Sequence, residues 1–398
     1  MLPIDRPPIR DGWVAVDAGR IVAFGAGQSP AHAETEDDDL GEVALLPGLV
    51  NAHTHLELSW MAGQIPPSES MDAWIQALMV IRKSGVPGGA AAELAAARLA
   101  AQAMRATGTV LVGDISNTLC TPAVLAELGL GGVVFHELIG FQPSDPAAMV
   151  RDAWARVAAV RATLPADGSA ELEFSVVAHA PYSVSRALFI EIARRASSTP
   201  LSIHLAESPE EVEFLRSGTG PVRHMLEQLG VWTPSWQVPA CDPVEYVARL
   251  GHLRPGVLIV HGVHLTVDAL ERLRRAGAIL VTCPRSNLWV GSGSPNLAQF
   301  FDSGVPVAIG TDSLASAPTL NLFDELAELR RLAPEVSAAK LLESATRIGA
   351  EALGLGHRYG TLAPGKRAAL VTVRVPDDVT DVEEYLVGGI APRDIAAI

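Results

Sequence analysis

The sequence has few residues of several kinds, and each shortage excludes a class of protein. Its three cysteines, Cys120, Cys241 and Cys283, are widely spaced, odd in number and outside any Cys-x-x-Cys pair. This argues against a disulfide framework and against a cysteine zinc site, and it favours a reducing compartment. Lysine and arginine (30) are outnumbered by aspartate and glutamate (45), which gives a formal net charge of -15. Because phosphate contacts need clustered positive charge, we expect no sequence-independent nucleic-acid partner.

Long hydrophobic runs are also missing. No window reaches the roughly 18 uninterrupted apolar residues of a membrane-spanning helix, and the first residues, MLPIDRPPIRDGW, lack the basic and apolar regions of a signal peptide. We therefore expect a cytoplasmic protein with no membrane partner. It should act on a small molecule, as a monomer or a homodimer.

What the sequence does contain is enough apolar material for a large core, 48% of 398 residues. From about Gly48 to about Gly354, short apolar strands alternate with helical segments, which is typical of βα units around a parallel sheet. The strands are expected to end near His55, Asp114, His136, His179, His204, His261, Cys283 and Asp312. Eight such units predict an α/β protein with a (β/α)8 TIM barrel. A doubly wound open sheet is the alternative, but no Gly-x-Gly-x-x-Gly follows the first strand.

The two ends of the chain are β-rich and are expected to pair into a small β-sandwich. Residues 1–47 and 356–398 would form this sandwich, and residues 48–355 would form the barrel. The predicted terminal elements are a hairpin over Trp13–Gly25, a solvated acidic loop over Glu34–Asp39, and strands within Gly360–Val373 and Val379–Gly389. The predicted helices are Met71–Arg82, Ala90–Thr107, Ala147–Leu164, Ser185–Ser197, Thr266–Ala276 and Ser337–Leu353.

The segment Val43–Glu57, VALLPGLVNAHTHLE, carries the first chemical signal. It resembles a buried strand that delivers His53 and His55 at its end. Since side chains two residues apart on an extended chain point to the same face, one metal ion can accept both imidazoles. The alternative is an ordinary pair of core or surface histidines.

Other predicted strands also end in polar side chains. His204, His261 and Asp312 each follow several apolar residues, and the carboxyl ends of barrel strands surround the active site of TIM-barrel enzymes. Each residue alone would more often be a satisfied core group, but their coincidence at one end of a barrel favours a site. Three imidazoles and a carboxylate suit Zn(II) or Fe(II) better than Mg(II) or Ca(II).

We therefore predict one divalent ion, Zn(II) or Fe(II), held by His53, His55, His204 and Asp312. Glu207, three residues past His204, would act as proton donor and acceptor, and its alternative role is to cap the following helix. His261 would orient the attacking hydroxide or stabilise an oxyanion. The three lysines, Lys83, Lys340 and Lys366, do not end a predicted strand, so a lysine-bridged pair of metals is not expected.

These motifs resemble the amidohydrolase superfamily over essentially the whole chain. LPGLVNAHTHLE, HLAE, VHGVH, VTCPRSN and IGTDSLAS occur in the family's order. The Glu after His204 resembles the mononuclear aminohydrolase branch, which includes cytosine, guanine, adenosylhomocysteine and aminofutalosine deaminases and the triazine chlorohydrolases. The resemblance implies the same four metal ligands and the same role of Glu207 as proton shuttle. It also implies that Asp312 takes the proton from the water. HLAESPEEVEFLRSGTGPV and CPRSN are most similar to 6-aminodeoxyfutalosine deaminases of menaquinone synthesis.

The implied substrate, an adenine nucleoside with a carboxyphenyl tail, suggests four binding residues. Arg285 would pair with the carboxylate. Trp74 would form part of an apolar wall, and His179 and Glu57 would hold ribose hydroxyls. Packing between barrel and helices is the alternative role of Trp74.

Two other functional classes stay open. The same metal centre could release chloride from a triazine-like ring or hydrolyse a cyclic amide. A non-catalytic amidohydrolase-like binding protein is the third possibility, and it would be expected to have lost part of the ligand set.

Overall fold

The computed structural model describes residues 1–29, 37–165, 171–196 and 199–398. The strands in these ranges are β1 (Gly12–Asp17), β2 (Arg20–Ala26), β3 (Val43–Pro47), β4 (Leu49–Thr54), β5 (Thr109–Ser116), β6 (Gly131–Leu138), β7 (Leu172–Ala178), β8 (Ser202–Leu205), β9 (Leu258–His261), β10 (Ile279–Thr282), β11 (Val307–Ile309), β12 (Leu370–Arg374) and β13 (Ile395–Ala397).

Helices fill most of the intervals between these strands. They are α1 (Met71–Ser84), α2 (Gly89–Ala106), α3 (Pro122–Glu127), α4 (Pro146–Arg161), α5 (Arg186–Arg195), α6 (Pro209–Ser217), α7 (Pro221–Gln228), α8 (Pro243–Arg249), α9 (Val267–Ala276), α10 (Pro284–Trp289), α11 (Leu297–Asp302), α12 (Leu322–Leu332), α13 (Ala338–Ser344), α14 (Arg347–Ala352) and α15 (Val382–Val387). Two 3-10 helices cover Leu56–Met61 and Pro392–Asp394. No helix in the described part of the chain is both long and apolar enough to cross a bilayer.

Strands β4 to β11 form the predicted (β/α)8 barrel. They make two four-stranded parallel sheets, β4-β5-β6-β7 and β8-β9-β10-β11. Backbone hydrogen bonds join the sheets at both edges: His204 N donates to His179 O (3.0 Å), and Thr311 N donates to His53 O (3.1 Å). A further parallel bridge links Thr54 to Asp312. Residues predicted to form the site therefore lie at both seams of the barrel.

The barrel strands are buried on both faces and contain runs of apolar residues. All eight residues of β6 and all six of β4 are buried, as expected for parallel strands covered by helices. The outer helices bury one stripe each; α9 buries Leu270 and Leu273 and is capped by Thr266, whose side chain accepts from Ala269 N. The eight barrel strands end within three residues of the predicted positions.

The apolar run around the His-x-His motif is divided between two sheets. Its first half is β3, which pairs antiparallel with β12, and its second half is β4 of the barrel. The chain changes sheet at Pro47-Gly48. A Cβ at Gly48 would lie 2.4 Å from the Val110 side chain, so the crossing is too close to the barrel for a larger residue. The prediction of one continuous buried strand is wrong at this point.

The predicted helix Ser337–Leu353 is also divided. It forms α13 and α14, with a break at Ala345 and Thr346. The Ala345 carbonyl accepts a hydrogen bond from Val50 N in β4 (2.8 Å). A hydrogen bond to the barrel therefore occupies a carbonyl oxygen that would accept a bond within a continuous helix.

The chain ends meet as predicted, with one correction. The hairpin β1-β2 and the three-stranded sheet β13-β12-β3 are linked where Ile21 N donates to Lys366 O (2.9 Å). However, Val379–Gly389 contains the helix α15 instead of a strand, because the Asp381 side chain accepts from Glu383 N and Glu384 N and caps it. The domain boundaries after residues 47 and 355 stay a prediction. Of the predicted acidic loop, residues 34–36 lie outside the described ranges and residues 37–39 are exposed.

Candidate active site

Four metal-type donors converge at the carboxyl end of the barrel. His53 is the penultimate residue of β4, His55 follows that strand, His204 lies on β8 and Asp312 follows β11. The His55 Nε2 atom lies 3.2 Å from His53 Nε2 and 3.3 Å from His204 Nε2. Asp312 Oδ1 lies 3.4 Å from His55 Nε2 and 3.8 Å from His53 Nε2. The structure thus brings together all four residues that the sequence nominated as ligands.

These imidazoles are neutral. Burial is the largest influence on each, and it lowers the pKa of His55 to about 3 although the Asp312 carboxylate acts in the opposite direction. The pKa of His53 is lowered well below its usual value by burial and by the neighbouring imidazoles, and that of His204 is lowered as well. A neutral imidazole has one N–H and one lone pair, and mutually facing lone pairs repel unless a cation lies between them. The donor set therefore fits a divalent ion, and its nitrogen-rich composition fits Zn(II) or Fe(II).

The orientation of His204 depends on its other ring nitrogen. Nδ1 lies 3.1 Å from the His179 carbonyl oxygen and 3.5 Å from Glu137 Oε1. Both are acceptors, so Nδ1 carries the proton and the Nε2 lone pair faces the other donors. Glu137 is held in turn by Asn117 Nδ2, which donates to Oε2 at 3.0 Å. Glu137 was not predicted, although its position at the end of the apolar strand β6 is the same signal that identified His204.

Asp312 is fixed by two hydroxyl groups. Its Oδ2 accepts from Ser286 Oγ (2.5 Å) and Ser316 Oγ (3.0 Å), which leaves Oδ1 facing the histidines. Burial acts to raise the pKa of Asp312, but the imidazoles and the Ser286 hydroxyl outweigh it and the net direction is downward. Asp312 is therefore ionised at neutral pH. The two serines were not predicted.

Glu207 lies beside His261. Its Oε1 is 3.6 Å from His261 Nε2. The predicted alternative, a helix cap, falls to Ser208, whose hydroxyl accepts from Glu211 N at 3.2 Å. Burial, and then the negative charges of Asp312 and Glu211, raise the pKa of Glu207 well above its usual value. The side chain can therefore carry a proton at neutral pH and give it up.

His261 has a defined tautomer. Asn287 Nδ2 donates to its Nδ1 at 2.9 Å, so its Nε2 carries the hydrogen and faces the site. Burial lowers the pKa of His261 to about 3, which keeps the ring neutral. Asn287 was not predicted as a partner of His261, because its contact with β9 depends on the barrel being closed.

Three non-glycine residues of the site have a positive φ: Ala206 (52°), His261 (70°) and Asp312 (59°). Each follows or ends a barrel strand. Side-chain-bearing residues adopt this conformation at a cost of roughly 1–3 kcal/mol, and such strain persists where the surroundings hold it in place. This backbone conformation directs the side chains of His261 and Asp312 towards the cluster. At Ala206 it begins the turn that carries Glu207.

Glu211 holds the turn that carries Glu207. Its carboxylate accepts from Ala206 N (3.0 Å) and Glu207 N (3.1 Å), and burial raises its pKa to about 7. We expect Glu211→Ala to lower the free energy of unfolding by about 2 kcal/mol or more, because each buried N–H left without an acceptor costs roughly 1–3 kcal/mol. Urea denaturation measures this. Glu227→Ala, which breaks an exposed pair with Arg223, is the matched control; equal losses in the two variants would contradict the role of Glu211.

The predicted substrate residues have varied surroundings. His179 follows β7, its ring centroid is 4.8 Å from that of His204, and its Nδ1 lies 2.6 Å from Ser183 Oγ. Trp74 on α1 is 8% exposed in a cluster with Leu58, Met61 and Val290, and its buried Nε1 has no hydrogen-bond partner among the described residues.

Glu57 and Arg285 are already engaged. Glu57 accepts from Ser116 Oγ (3.0 Å), Asn117 N (2.9 Å), Thr118 N (3.1 Å) and Thr118 Oγ1 (2.8 Å). These four contacts fill the acceptor positions of a carboxylate and order the loop after β5. Arg285 Nη1 lies 3.6 Å from both Asp324 Oδ2 and Glu325 Oε1 on α12 and donates to Thr319 Oγ1 at 3.0 Å. A substrate carboxylate would have to compete with these partners.

Comparison with known proteins adds to this geometry. A sequence model of the Amidohydrolase family matches residues 44–390. An aminodeoxyfutalosine deaminase of Deinococcus radiodurans is 34% identical over 325 residues, which cover 78% of this chain and 73% of that protein. A 5-methylthioadenosine/S-adenosylhomocysteine deaminase of Halobacterium salinarum is 31% identical over 379 residues, covering 92% and 80%.

Solved structures are similar over nearly the whole chain. The Helicobacter pylori aminofutalosine deaminase in complex with methylthio-coformycin superposes with a TM-score of 0.81 at 26% sequence identity, covering 95% of this chain and 90% of that one.

Proposed function

We propose that this chain, which belongs to the amidohydrolase family, is a metal-dependent deaminase of an adenine nucleoside bearing a 5′ substituent. Its family and its deaminase relatives make it a hydrolase that acts on C–N bonds. One observation carries the proposal: His53, His55, His204 and Asp312 converge beside Glu207 and His261. In this proposal the first four residues are the ligands of one Zn(II) or Fe(II) ion.

A bound ion of this kind supplies Lewis acidity, which lowers the pKa of a coordinated water and provides a nucleophile near neutral pH. The ionised Asp312 takes a proton from the attacking water, which adds to the carbon bearing the amino group. Protonated Glu207 gives its proton to the adjacent ring nitrogen, and the His261 Nε2–H donates to the attacking oxygen as negative charge develops there.

The second half of the reaction reverses both proton transfers. Asp312 returns its proton to the amino group, which leaves as ammonia. Glu207 recovers a proton from the new hydroxyl as the carbonyl forms. The two carboxylates suit these roles because they have opposite pKa shifts: Glu207 is raised by burial, whereas Asp312 is lowered by its imidazole and hydroxyl neighbours.

For the substrate we propose 6-aminodeoxyfutalosine. The Deinococcus relative and the Helicobacter structure support this choice, and the protein would then act in menaquinone synthesis. Methylthioadenosine or adenosylhomocysteine is the second candidate, because the Halobacterium relative matches a larger share of the chain.

Ammonia release by metal-loaded protein tests the proposal. We expect the highest kcat/KM on 6-aminodeoxyfutalosine in a panel with methylthioadenosine, adenosylhomocysteine, adenosine, guanine and cytosine. Protein treated with a chelator is the control and should release no ammonia. A preference for methylthioadenosine would overturn the substrate, and release from none of the six would overturn the deaminase. Chloride release from a chlorotriazine would then favour the chlorohydrolase alternative.

A further inference from the structure

The seam between β4 and β11, which closes the barrel beside the donor cluster, is irregular. Thr311 N and Asp312 N both donate to His53 O, each at 3.1 Å, whereas the bonds of a regular parallel ladder are evenly spaced. The irregularity lies where Asp312 adopts its positive φ of 59°. Since two donors share one acceptor, these backbone bonds alone fix the two strands less firmly than a regular ladder would.

The strands also approach each other very closely at this seam. A Cβ at Gly310 would lie 2.6 Å from the His53 carbonyl oxygen and 2.8 Å from the His53 Cβ atom. The chain segments that carry His53 and Asp312 are therefore in direct contact, and a small shift of one against the other would move Asp312 relative to both histidines of the His-x-His motif.

The side chain of Asn51 on β4 adds hydrogen bonds across the seam. Its Nδ2 donates to Thr311 Oγ1 at 2.7 Å, and its Oδ1 accepts from Thr311 N at 3.1 Å. The same oxygen accepts from His53 N at 3.4 Å. Thr311 N thus has an acceptor besides His53 O, and the amide bridges β4 to the segment after β11 as a further rung of the ladder.

An amide is an unusual choice for this position. Asn51 is completely buried, and Thr311 is as well. Asn51 points to the same face of β4 as His53, two residues later, and barrel interiors are mostly filled by branched apolar side chains. An apolar residue would fill the space without the cost of burying a polar group. The amide is therefore better explained by the partners that it orients than by packing.

We propose that Asn51 is a positioning residue of the metal centre. It acts through Thr311, whose neighbour Asp312 it holds in register with β4, so that Asp312 Oδ1 lies 3.4 Å from His55 Nε2 and 3.8 Å from His53 Nε2. This inference rests on the proposed function, because it assumes that these residues bind the ion. Ser286 and Ser316 fix the rotation of the Asp312 carboxylate, whereas Asn51 fixes the position of its backbone.

Metal affinity and coordination geometry test this role. Thr311→Val removes the acceptor of Asn51 Nδ2 and keeps the branched shape, and Asn51→Leu removes the amide itself. In both variants we expect the dissociation constant of Zn(II), measured by competition with a chromophoric chelator, to rise about tenfold or more. The visible absorption of the Co(II)-loaded variants should also differ from that of wild type, because it reports the arrangement of the ligands.

Two further variants separate positioning from general stability. Thr311→Ser keeps the hydroxyl group and should restore the Zn(II) dissociation constant to within about twofold of wild type, together with the Co(II) spectrum. Thr372→Val is the matched control, since it removes a buried hydroxyl from β12, outside the barrel, that donates to Ala396 O at 3.3 Å. It should leave both metal measurements unchanged.

Unchanged metal binding in Thr311→Val would overturn the inference, even if its thermal midpoint fell, because Asn51 would then serve stability alone. If Asn51→Leu does not fold, Thr311→Val decides the question by itself. Equal losses in Thr311→Val and Thr311→Ser would also overturn it, since the hydroxyl would not be the cause. A wild-type protein that binds neither Zn(II) nor Co(II) is a different outcome: it overturns the metal centre of the proposed function, and this inference with it.

Discussion

Replacing Glu207 by glutamine should reduce kcat for ammonia release by a factor of about 10² to 10⁴ while leaving the metal content unchanged. Glutamine keeps the shape of the side chain but cannot give a proton to the ring nitrogen. The loss should be large because the neighbouring carboxyl groups in the described part of the chain are otherwise engaged: Asp312 is ionised and committed to Ser286 and Ser316. Glu137 is turned towards His204 and Asn117.

Steady-state kinetics and metal analysis on the same preparation distinguish this role from a structural one. Glu227→Gln, an exposed carboxylate on α7, controls for the loss of a negative charge and should behave as wild type. Normal turnover by Glu207→Gln would remove Glu207 from the mechanism. Loss of the metal together with activity would instead make Glu207 part of the ion's binding site.

The second large effect is expected from the ligand set itself. His55→Ala and Asp312→Asn should each reduce the bound metal from about one ion per chain to a small fraction, and turnover should fall by about 10³ or more because the nucleophile is no longer available at neutral pH. Chelation of the wild-type protein should have the same effect, and it should lower the thermal midpoint. A ligand at 100 times its dissociation constant stabilises the native state by about 2.7 kcal/mol.

Metal content by mass spectrometry and turnover after reloading measure these effects. Reloading with Zn(II) and with Fe(II), each without oxygen, identifies the ion that restores activity. His224→Ala, an exposed histidine of α7, is the control for removing an imidazole. Full metal occupancy in His55→Ala would contradict the four-ligand assignment, and full activity of chelated, metal-free protein would contradict the metal-dependent mechanism.

Much of the barrel could be predicted because the relevant signals are local. A strand buried on both faces is an apolar run of four to eight residues wherever it lies in the chain, and a polar residue at its end is visible in the same short window. His53, His204, His261 and Asp312 were found in this way. The wrong predictions arose where a distant contact overruled the local pattern, as when Val50 of β4 takes the Ala345 carbonyl and divides α13 from α14. The helix α15 is different, since Asp381 with the glutamates two and three residues later is a local capping signal.

The residues that hold the site in place could not be predicted, because their partners lie far away in sequence. Asn287 meets His261 across 26 residues, and Ser286 meets Asp312 across the same separation. A hydrogen bond of this kind leaves no periodicity in the chain. Glu211 is an exception, because the backbone N–H groups that it accepts lie only four and five residues away in the sequence. Its role nevertheless depends on the left-handed conformation of Ala206, which no residue preference predicts for alanine.

The sequence by itself determined which kinds of donor are available and that they lie at strand ends, because apolar runs and the residues that interrupt them are properties of a short segment. Tertiary structure decided which side chains are free to act. From the sequence alone, Arg285 and Glu57 were plausible substrate contacts. Closure of the barrel places α12 beside Arg285 and the loop after β5 around Glu57, so both side chains already have partners. The charge of a side chain follows from the sequence, whereas its partners depend on which segments the barrel brings together.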